Sequence, residues 1–184
     1  MSFYISQGFF KGRKLFLPPE KITRPTKSQA RQGLFNTLIH SEYVDIMEST
    51  FLDAFSGSGA LGIESLSSGA KHVTFIEKNR DAFKTIIRNT ELLNVNDKIS
   101  LIHGDLFKYK NRKDPVGVCF IDPPYQMDLW ESALSSMKKN NWINHKTFIV
   151  IESPFDKDFS NIKNFSIKIQ KTYGDIGFFM GFYS

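Results

Sequence analysis

The sequence of 184 residues contains a single cysteine, Cys119, so an internal disulfide is excluded. No run of apolar residues is long enough to span a bilayer, and residues 1–20 lack the apolar core of a signal peptide. The four histidines are scattered without the spacing of metal ligands, so we expect no metal site. These absences favour a cytoplasmic protein without a membrane partner.

Positive charge is concentrated at the beginning of the chain. Residues 1–31 contain seven basic side chains and one acidic side chain, whereas the rest of the chain carries slightly more acids than bases. Basic residues clustered in one segment suit the neutralisation of phosphates. We therefore expect Lys11, Arg13 and Arg31 to face a polyanionic substrate; a solvated basic tail is the alternative interpretation.

Short apolar runs alternate with amphipathic stretches from residue 50 onward. The predicted strands cover 50–55, 72–77, 99–103, 116–121 and 148–152, and the predicted helices cover 59–68, 79–94 and 129–140. Such alternation produces βαβ units and hence a parallel sheet. The tail predicts a closing antiparallel hairpin, with strands at 165–172 and 178–183.

The first 45 residues have a different character. Residues 3–17 predict a small hairpin or an extended arm, and 28–40 predict a helix. We therefore divide the chain into a basic N-terminal segment, 1–45, and an α/β domain, 46–184.

A glycine-rich turn follows the first strand of the α/β domain. Gly57, Gly59 and Gly62 satisfy the pattern G-x-G-x-x-G, and Glu77 ends the next strand. Glycine permits a tight turn and a close approach by a ligand, and the acid can accept hydrogen bonds from ribose hydroxyls. The pattern alone is shared by nicotinamide-dependent dehydrogenases and methyltransferases.

Two further acids favour S-adenosylmethionine as the ligand. Asp53 stands just before the turn, where it can receive the ammonium group of this cofactor but would repel the pyrophosphate of a dinucleotide. Asp105, after the third strand, is placed to accept a hydrogen bond from the adenine amino group. Asp105 is also a plausible helix N-cap, a role that does not exclude a ligand contact.

The tetrapeptide Asp122-Pro123-Pro124-Tyr125 ends the fourth strand and is the most specific motif in the chain. Its two prolines remove N–H donors and leave a turn lined with acceptors. The Asp122 carboxylate and the Pro123 carbonyl can accept the protons of an exocyclic amino group and orient its nitrogen toward an activated methyl group. Tyr125 offers a ring on which the base can stack. The motif therefore predicts methylation of a nucleobase amine, with RNA as the expected carrier.

These residues resemble the RsmD-type ribosomal RNA guanine-N2 methyltransferases, over nearly the whole chain. The resemblance covers Lys11-Gly12-Arg13-Lys14-Leu15, Arg24-Pro25-Thr26, Arg31, Leu34-Phe35-Asn36, Asp53 through Glu64, Glu77, Asp122 through Tyr125, Glu152 and Tyr173-Gly174. The glycine turn and the Asp-Pro-Pro-Tyr motif are common to many amino-methyltransferases. The Lys-Gly-Arg-x-Leu and Arg-Pro-Thr elements narrow the resemblance to this family.

The resemblance implies a class I, Rossmann-like methyltransferase fold with a seven-stranded, mostly parallel sheet. It also implies a guanine of 16S rRNA as substrate, usually position 966, presented in an assembling small ribosomal subunit; we expect the enzyme to be a monomer. The cofactor residues would be Asp53, Phe55, Ser56, Gly57, Gly59, Glu77, Asp105 and Leu106. Asp122, Pro123 and Tyr125 would hold the target base, and Arg24 and Thr26 would lie near the mouth of the site.

Two alternatives remain at this point. An amino-methyltransferase acting on DNA usually needs extra sequence to read a duplex and extrude a base, and the chain has no insertion of that size. A nicotinamide-dependent oxidoreductase would explain the glycines but not Asp53 or the Asp-Pro-Pro-Tyr motif.

Overall fold

A computed structural model describes residues 2–19, 28–110, 114–123, 129–159 and 162–184. The strands are β1 (Ser2–Tyr4), β2 (Lys14–Phe16), β3 (Thr50–Asp53), β4 (His72–Glu77), β5 (Ile99–His103), β6 (Val118–Ile121), β7 (Phe148–Pro154), β8 (Phe165–Tyr173) and β9 (Ile176–Tyr183). The helices are α1 (Ser28–Ile39), α2 (Ala60–Ser67), α3 (Arg80–Leu93) and α4 (Trp130–Lys139).

The predicted elements of the α/β domain are confirmed, with small differences at their ends. The strands predicted at 72–77 and 99–103 have the observed bounds, and the three helices are shorter than predicted by one residue at each end. Helix α3 begins after Asn79, whose side-chain oxygen accepts hydrogen bonds from the backbone N–H groups of Asp81 and Ala82. Strand β6 begins later than predicted because Val116 donates its N–H to the carbonyl of Trp142, outside the sheet.

The described strands of the α/β domain form one sheet of seven strands in the order β5-β4-β3-β6-β7-β9-β8. The first five are parallel; β9 is antiparallel to both β7 and β8, which confirms the closing hairpin. The strand order reverses between β3 and β6. In such sheets ligands bind outside the carboxyl ends of the strands at the point of reversal. The candidate site is therefore expected after β3 and β6.

Both faces of the sheet are covered, which explains the nearly continuous apolar sequence of its central strands. Phe51, Phe120 and Val150 point to the face packed by α1, α2 and α3. Cys119 and Ile149 point to the other face, packed by α4. Across the described ranges, none of the helices combines the length and the apolar composition needed to cross a membrane.

The beginning of the chain forms a hairpin of β1 and β2 that packs on the outside of two helices. The Ser6 N–H donates to Glu64 of α2 at 2.9 Å, and Phe16 exchanges two hydrogen bonds with the side chain of Asn89 of α3. Every residue of α2 is buried, because this helix lies between the sheet and the hairpin. Of the two predicted forms, a hairpin or an extended arm, the structure shows the hairpin.

Candidate active site

The turn between β3 and α2 is fixed by hydrogen bonds to the neighbouring strands. Gly57 and Gly59 adopt φ values of 53° and 76°, the left-handed region that favours glycine. The Gly57 N–H donates to Glu77 at 2.7 Å, and the Ser56 hydroxyl donates to the carbonyl of Asp53 at 2.8 Å. The Ser56 side chain thus stabilises the turn itself.

Gly62, the last glycine of the pattern, brings α2 close to β4. A Cβ atom at this position would lie 2.2 Å from the Phe75 ring. The Gly62 N–H donates to the Asp53 carboxylate at 3.0 Å. A carboxylate therefore occupies the hydrogen-bonding position at the start of α2 that a dinucleotide's phosphate would use.

Asp53 is 3% exposed. Burial raises the pKa of its carboxyl to about 7; the Gly62 N–H opposes the shift, and the charges of Glu77 and Glu152 add to it. The carboxyl group is therefore balanced between its two protonation states near neutral pH.

Three carboxyl groups share one face of the sheet. Asp53 lies in register with Phe75 of β4 and Phe120 of β6, so the three side chains point to the same side. Glu77 and Asp122 lie two residues beyond these partners, and side chains alternate along a strand. Asp53, Glu77 and Asp122 therefore meet at the carboxyl edge, on the side of the three covering helices.

A fourth carboxyl group extends this row. Phe120 lies in register with Val150 of β7, and Glu152 follows Val150 by two residues. Glu152 is 3% exposed. Glu152 belongs to the family resemblance, which implied no role for it. In the sequence, Glu152 is noticeable only as an acid within an apolar strand. Its position near Asp122 follows from the register of the strands, which the sequence does not reveal.

Asp122 is half-buried and Pro123 is buried. The pKa of the Asp122 carboxyl lies well above its ordinary value because of burial, and next because of the charges of Glu152 and Asp53. The structure thus brings the predicted catalytic carboxylate to the same edge as the glycine turn. The remainder of the motif, including Tyr125, lies outside the described residues, as do Arg24 and Thr26.

Asp105, which we expected near the adenine, and Leu106 lie after β5, and Phe55, another predicted cofactor residue, lies after β3. The Asp105 side chain accepts a hydrogen bond from the Phe107 N–H at 3.1 Å and caps a short 3-10 turn, Leu106–Lys108. Leu106 belongs to the apolar cluster on the α4 side, and Phe55 packs against that cluster. An acceptor beside apolar walls suits a purine ring.

Arg31 requires a correction, because the structure buries it. This side chain is 1% exposed, and its Nε donates to Glu64 Oε1 at 3.0 Å. Its Nη2 donates to the carbonyl of Tyr4, and its guanidinium lies over the Phe3 ring. Arg31 therefore joins α1, α2 and the hairpin, and is not available for the RNA contact that we expected of it.

Lys11 and Arg13 are exposed, but they do not lie at the carboxyl edge. Their turn is attached to the end of α2, where the Phe9 N–H donates to the carbonyl of Ser67. Helix α2 runs from the carboxyl edge to the amino edge of the sheet. The hairpin turn therefore lies at the end of α2 that is farther from the glycine turn, and this helix of 8 residues is roughly 12 Å long.

Comparisons with known proteins find relatives that match nearly the whole chain. The family model described as "Conserved hypothetical protein 95" matches residues 3–181. Ribosomal RNA small subunit methyltransferase D of Haemophilus influenzae is 32% identical over 178 residues, which cover 95% of this chain and 90% of that protein. The protein of the same name from Escherichia coli is 30% identical, covering 93% and 85% of the two chains.

Solved structures share the fold. One from Escherichia coli superposes with a TM-score of 0.84 at 27% identity, covering 100% of this chain and 98% of that one. An RNA methyltransferase from Salinibacter ruber, in complex with S-adenosyl-L-homocysteine, has a TM-score of 0.68 at 17% identity and covers 87% and 94%. The architecture is the class I, Rossmann-like methyltransferase fold, and the chain belongs to the RsmD family of methyltransferases.

Proposed function

We propose that this chain transfers a methyl group from S-adenosylmethionine to the exocyclic N2 of a guanine in small-subunit ribosomal RNA. The observation that carries the proposal is a row of four carboxyl groups at one edge of the sheet, next to Pro123. The row consists of Asp53, Glu77, Asp122 and Glu152. The names of the relatives support ribosomal RNA as the substrate. The family resemblance further suggests guanine 966, in an assembling subunit.

The carboxyl row fits a cationic organic ligand. Burial, and after it the charges of neighbouring acids, raise the pKa values of Asp53 and Asp122, and an added positive charge would lower both. Within the described ranges, no group of three or more acids, histidines and cysteines is arranged to hold a metal ion. S-adenosylmethionine carries an ammonium and a sulfonium group. Asp53 would bind the ammonium, Glu77 the ribose hydroxyls, and Asp105 the adenine amino group.

Bound S-adenosylmethionine supplies an activated methyl group. The Asp122 carboxylate and the Pro123 carbonyl accept the two N–H protons of the base, which directs the nitrogen lone pair toward that methyl carbon. The cofactor would supply the methyl group as an electrophile and would retain the electron pair of its C–S bond as the new N–C bond forms. Asp122 or water then takes one proton from the methylated nitrogen. Tyr125 would stack on the base.

We propose different roles for the two parts of the chain. Residues 46–184 would carry out methyl transfer, and residues 1–45 would contribute contacts to RNA through Lys11, Arg13, Arg24 and Thr26. The enzyme would act as a cytoplasmic monomer.

The experiment combines purified protein and S-adenosylmethionine with small subunits and 16S rRNA from cells that lack the gene. Nucleoside mass spectrometry should find N2-methylguanosine at one position. Asp122→Ala should lower turnover by at least about 100-fold, because it removes an acceptor of the amino protons. Its calorimetric affinity for S-adenosylhomocysteine should change by less than about threefold. Methylation of DNA alone, or binding of NAD but not S-adenosylhomocysteine, would refute the proposal.

A further inference from the structure

Helix α3 carries a row of basic side chains on its outer surface. Ala82, Ile86 and Leu93 are buried against the sheet. Arg80, Lys84 and Arg88 are exposed and recur every four residues, so they share the opposite face of the helix. We call these three residues the α3 basic face.

The charges of the α3 basic face are not neutralised by close acids. Within the part of the chain that the structure describes, none of its three side chains has a carboxylate at ion-pair distance. Two exposed acids, Asp81 and Glu91, lie on the same helix. Asp81 belongs to the first turn, where a negative charge stabilises the helix. A surplus of positive charge therefore remains on this surface.

One end of the α3 basic face lies at the candidate active site. Helix α3 starts directly after β4, and the Glu77 carboxylate accepts a hydrogen bond from the Asn79 N–H at 2.7 Å. Arg80 thus stands at the carboxyl edge, two strands from Asp122. The helix of 14 residues is about 21 Å long and runs from there toward the amino edge.

The other end continues into the hairpin. The Arg88 guanidinium lies 3.3 Å from the centroid of the Phe16 ring. Lys14 stands on the same side of β2 as Phe16, because side chains alternate along a strand. Lys14, Arg13 and Lys11 are all exposed and lead on to the hairpin turn. Exposed positive charge therefore occurs at intervals from Arg80, at the carboxyl edge, to the hairpin turn.

We propose that the ribose–phosphate backbone of the substrate RNA lies along the α3 basic face, from the active-site edge to the hairpin. This inference rests on the proposed function and specifies its RNA-binding surface. Evenly spaced basic side chains that have no carboxylate at ion-pair distance bind phosphates without reading bases. The face therefore determines affinity and orientation, while the carboxyl edge selects the reacting amine.

The test compares two double variants with the same change of charge. Arg80→Gln/Lys84→Gln alters the α3 basic face, whereas Lys138→Gln/Lys139→Gln alters exposed residues of α4, on the opposite side of the sheet. The affinity of each variant for 16S rRNA is measured at several salt concentrations. Calorimetry with S-adenosylhomocysteine verifies that each variant is folded.

The α3 variant should bind RNA about tenfold more weakly at moderate salt, with a slope of log K against log salt lower by about 1.5 units. Its turnover at saturating RNA should remain close to that of the wild type, and the α4 variant should behave as the wild type in every measurement. Equal losses in both variants, or no loss in the α3 variant, would overturn the inference. If the wild-type protein methylates no RNA, the proposed function itself fails, which is a separate outcome.

Discussion

At the scale of single residues, Asp53 connects the proposed cofactor site with the stability of the protein. Its folded-state pKa of about 7 exceeds the ordinary value of 3.8, so folding favours the protonated form. A group of this kind contributes stability that is complete below the ordinary pKa and is lost as pH rises through the folded-state pKa. Asp122 acts in the same direction because its pKa is also raised.

We predict that the free energy of unfolding of the ligand-free protein falls as pH rises from about 4 to about 7. Asp53→Asn should reduce this fall, because the amide cannot ionise and can still accept the Gly62 N–H. Denaturant unfolding at a series of pH values measures the effect. Asp156→Asn, at an exposed position on the same edge, should keep the wild-type pH dependence. Identical slopes in wild type and Asp53→Asn would contradict the pKa assigned to Asp53.

A second prediction for a single residue concerns Glu152 and the pH dependence of turnover. Burial is the largest cause of the raised pKa of Asp122, and the charge of Glu152 is the next. In the proposed mechanism, the ionised form of Asp122 accepts the amino protons. Glu152→Gln should therefore lower the pKa of Asp122 and move the acidic limb of the pH–rate profile to lower pH.

Glu152→Asp restores a carboxylate, so the acidic limb of its pH–rate profile should return toward the wild-type position. If Glu152 contributed only packing, the acidic limb of Glu152→Gln would stay in place. Asp156→Asn again serves as the control, because solvent screens its charge.

At the scale of secondary-structure elements, the sequence predicted what depends on local patterns. The alternation of apolar runs and amphipathic stretches located β3 to β7 and α2 to α4, since each pattern is contained within its own element. The placement of the hairpin could not be predicted, because its hydrogen bonds join residues separated by 58 and 73 positions, as in the contacts of Ser6 with Glu64 and Phe16 with Asn89.

The same limit applies to the site. The residue types and spacing of the motifs identified Asp53, Glu77 and Asp122, and the structure places all three at one edge of the sheet. The basic character of Arg31 suggested RNA, because a charge pattern does not reveal which side chain is buried. Its partner Glu64 lies 33 positions away, on another helix. Glu152 was without a role until the strand register placed it beside Asp122.

Arg31 therefore leads to a prediction about how the elements hold together. Arg31→Met should destabilise the protein by about 3 kcal/mol or more, because it leaves Glu64 buried without its cation. Adding Glu64→Gln should recover part of the loss, so that the double variant is more stable than the sum of the single changes implies. Thermal and denaturant unfolding measure both effects. The salt dependence of RNA binding should not change in the folded variant; a clear change would return Arg31 to the RNA-binding surface.

At the scale of the whole molecule, negative and positive charges lie on separate parts of the protein. The carboxyl row is enclosed at the edge of the sheet, whereas exposed positive charge extends over α3 and the hairpin. A cationic cofactor and an anionic RNA thus have separate binding surfaces that meet near Arg80. An RNA that follows the α3 basic face from the carboxyl edge reaches Lys11 and Arg13 only after it has passed Arg88.

The contribution of Lys11 and Arg13 should therefore depend on the length of the RNA. Lys11→Gln/Arg13→Gln should bind a short stem-loop carrying the target guanine as tightly as the wild type does, because the stem-loop ends before the amino edge. The same variant should bind a fragment several times longer more weakly, and with a lower salt slope. Lys138→Gln/Lys139→Gln, near the amino edge but on the opposite face, should bind both RNAs normally. A loss of affinity for the short stem-loop would mean that the hairpin turn reaches the target base directly, which the attachment of Phe9 to Ser67 opposes.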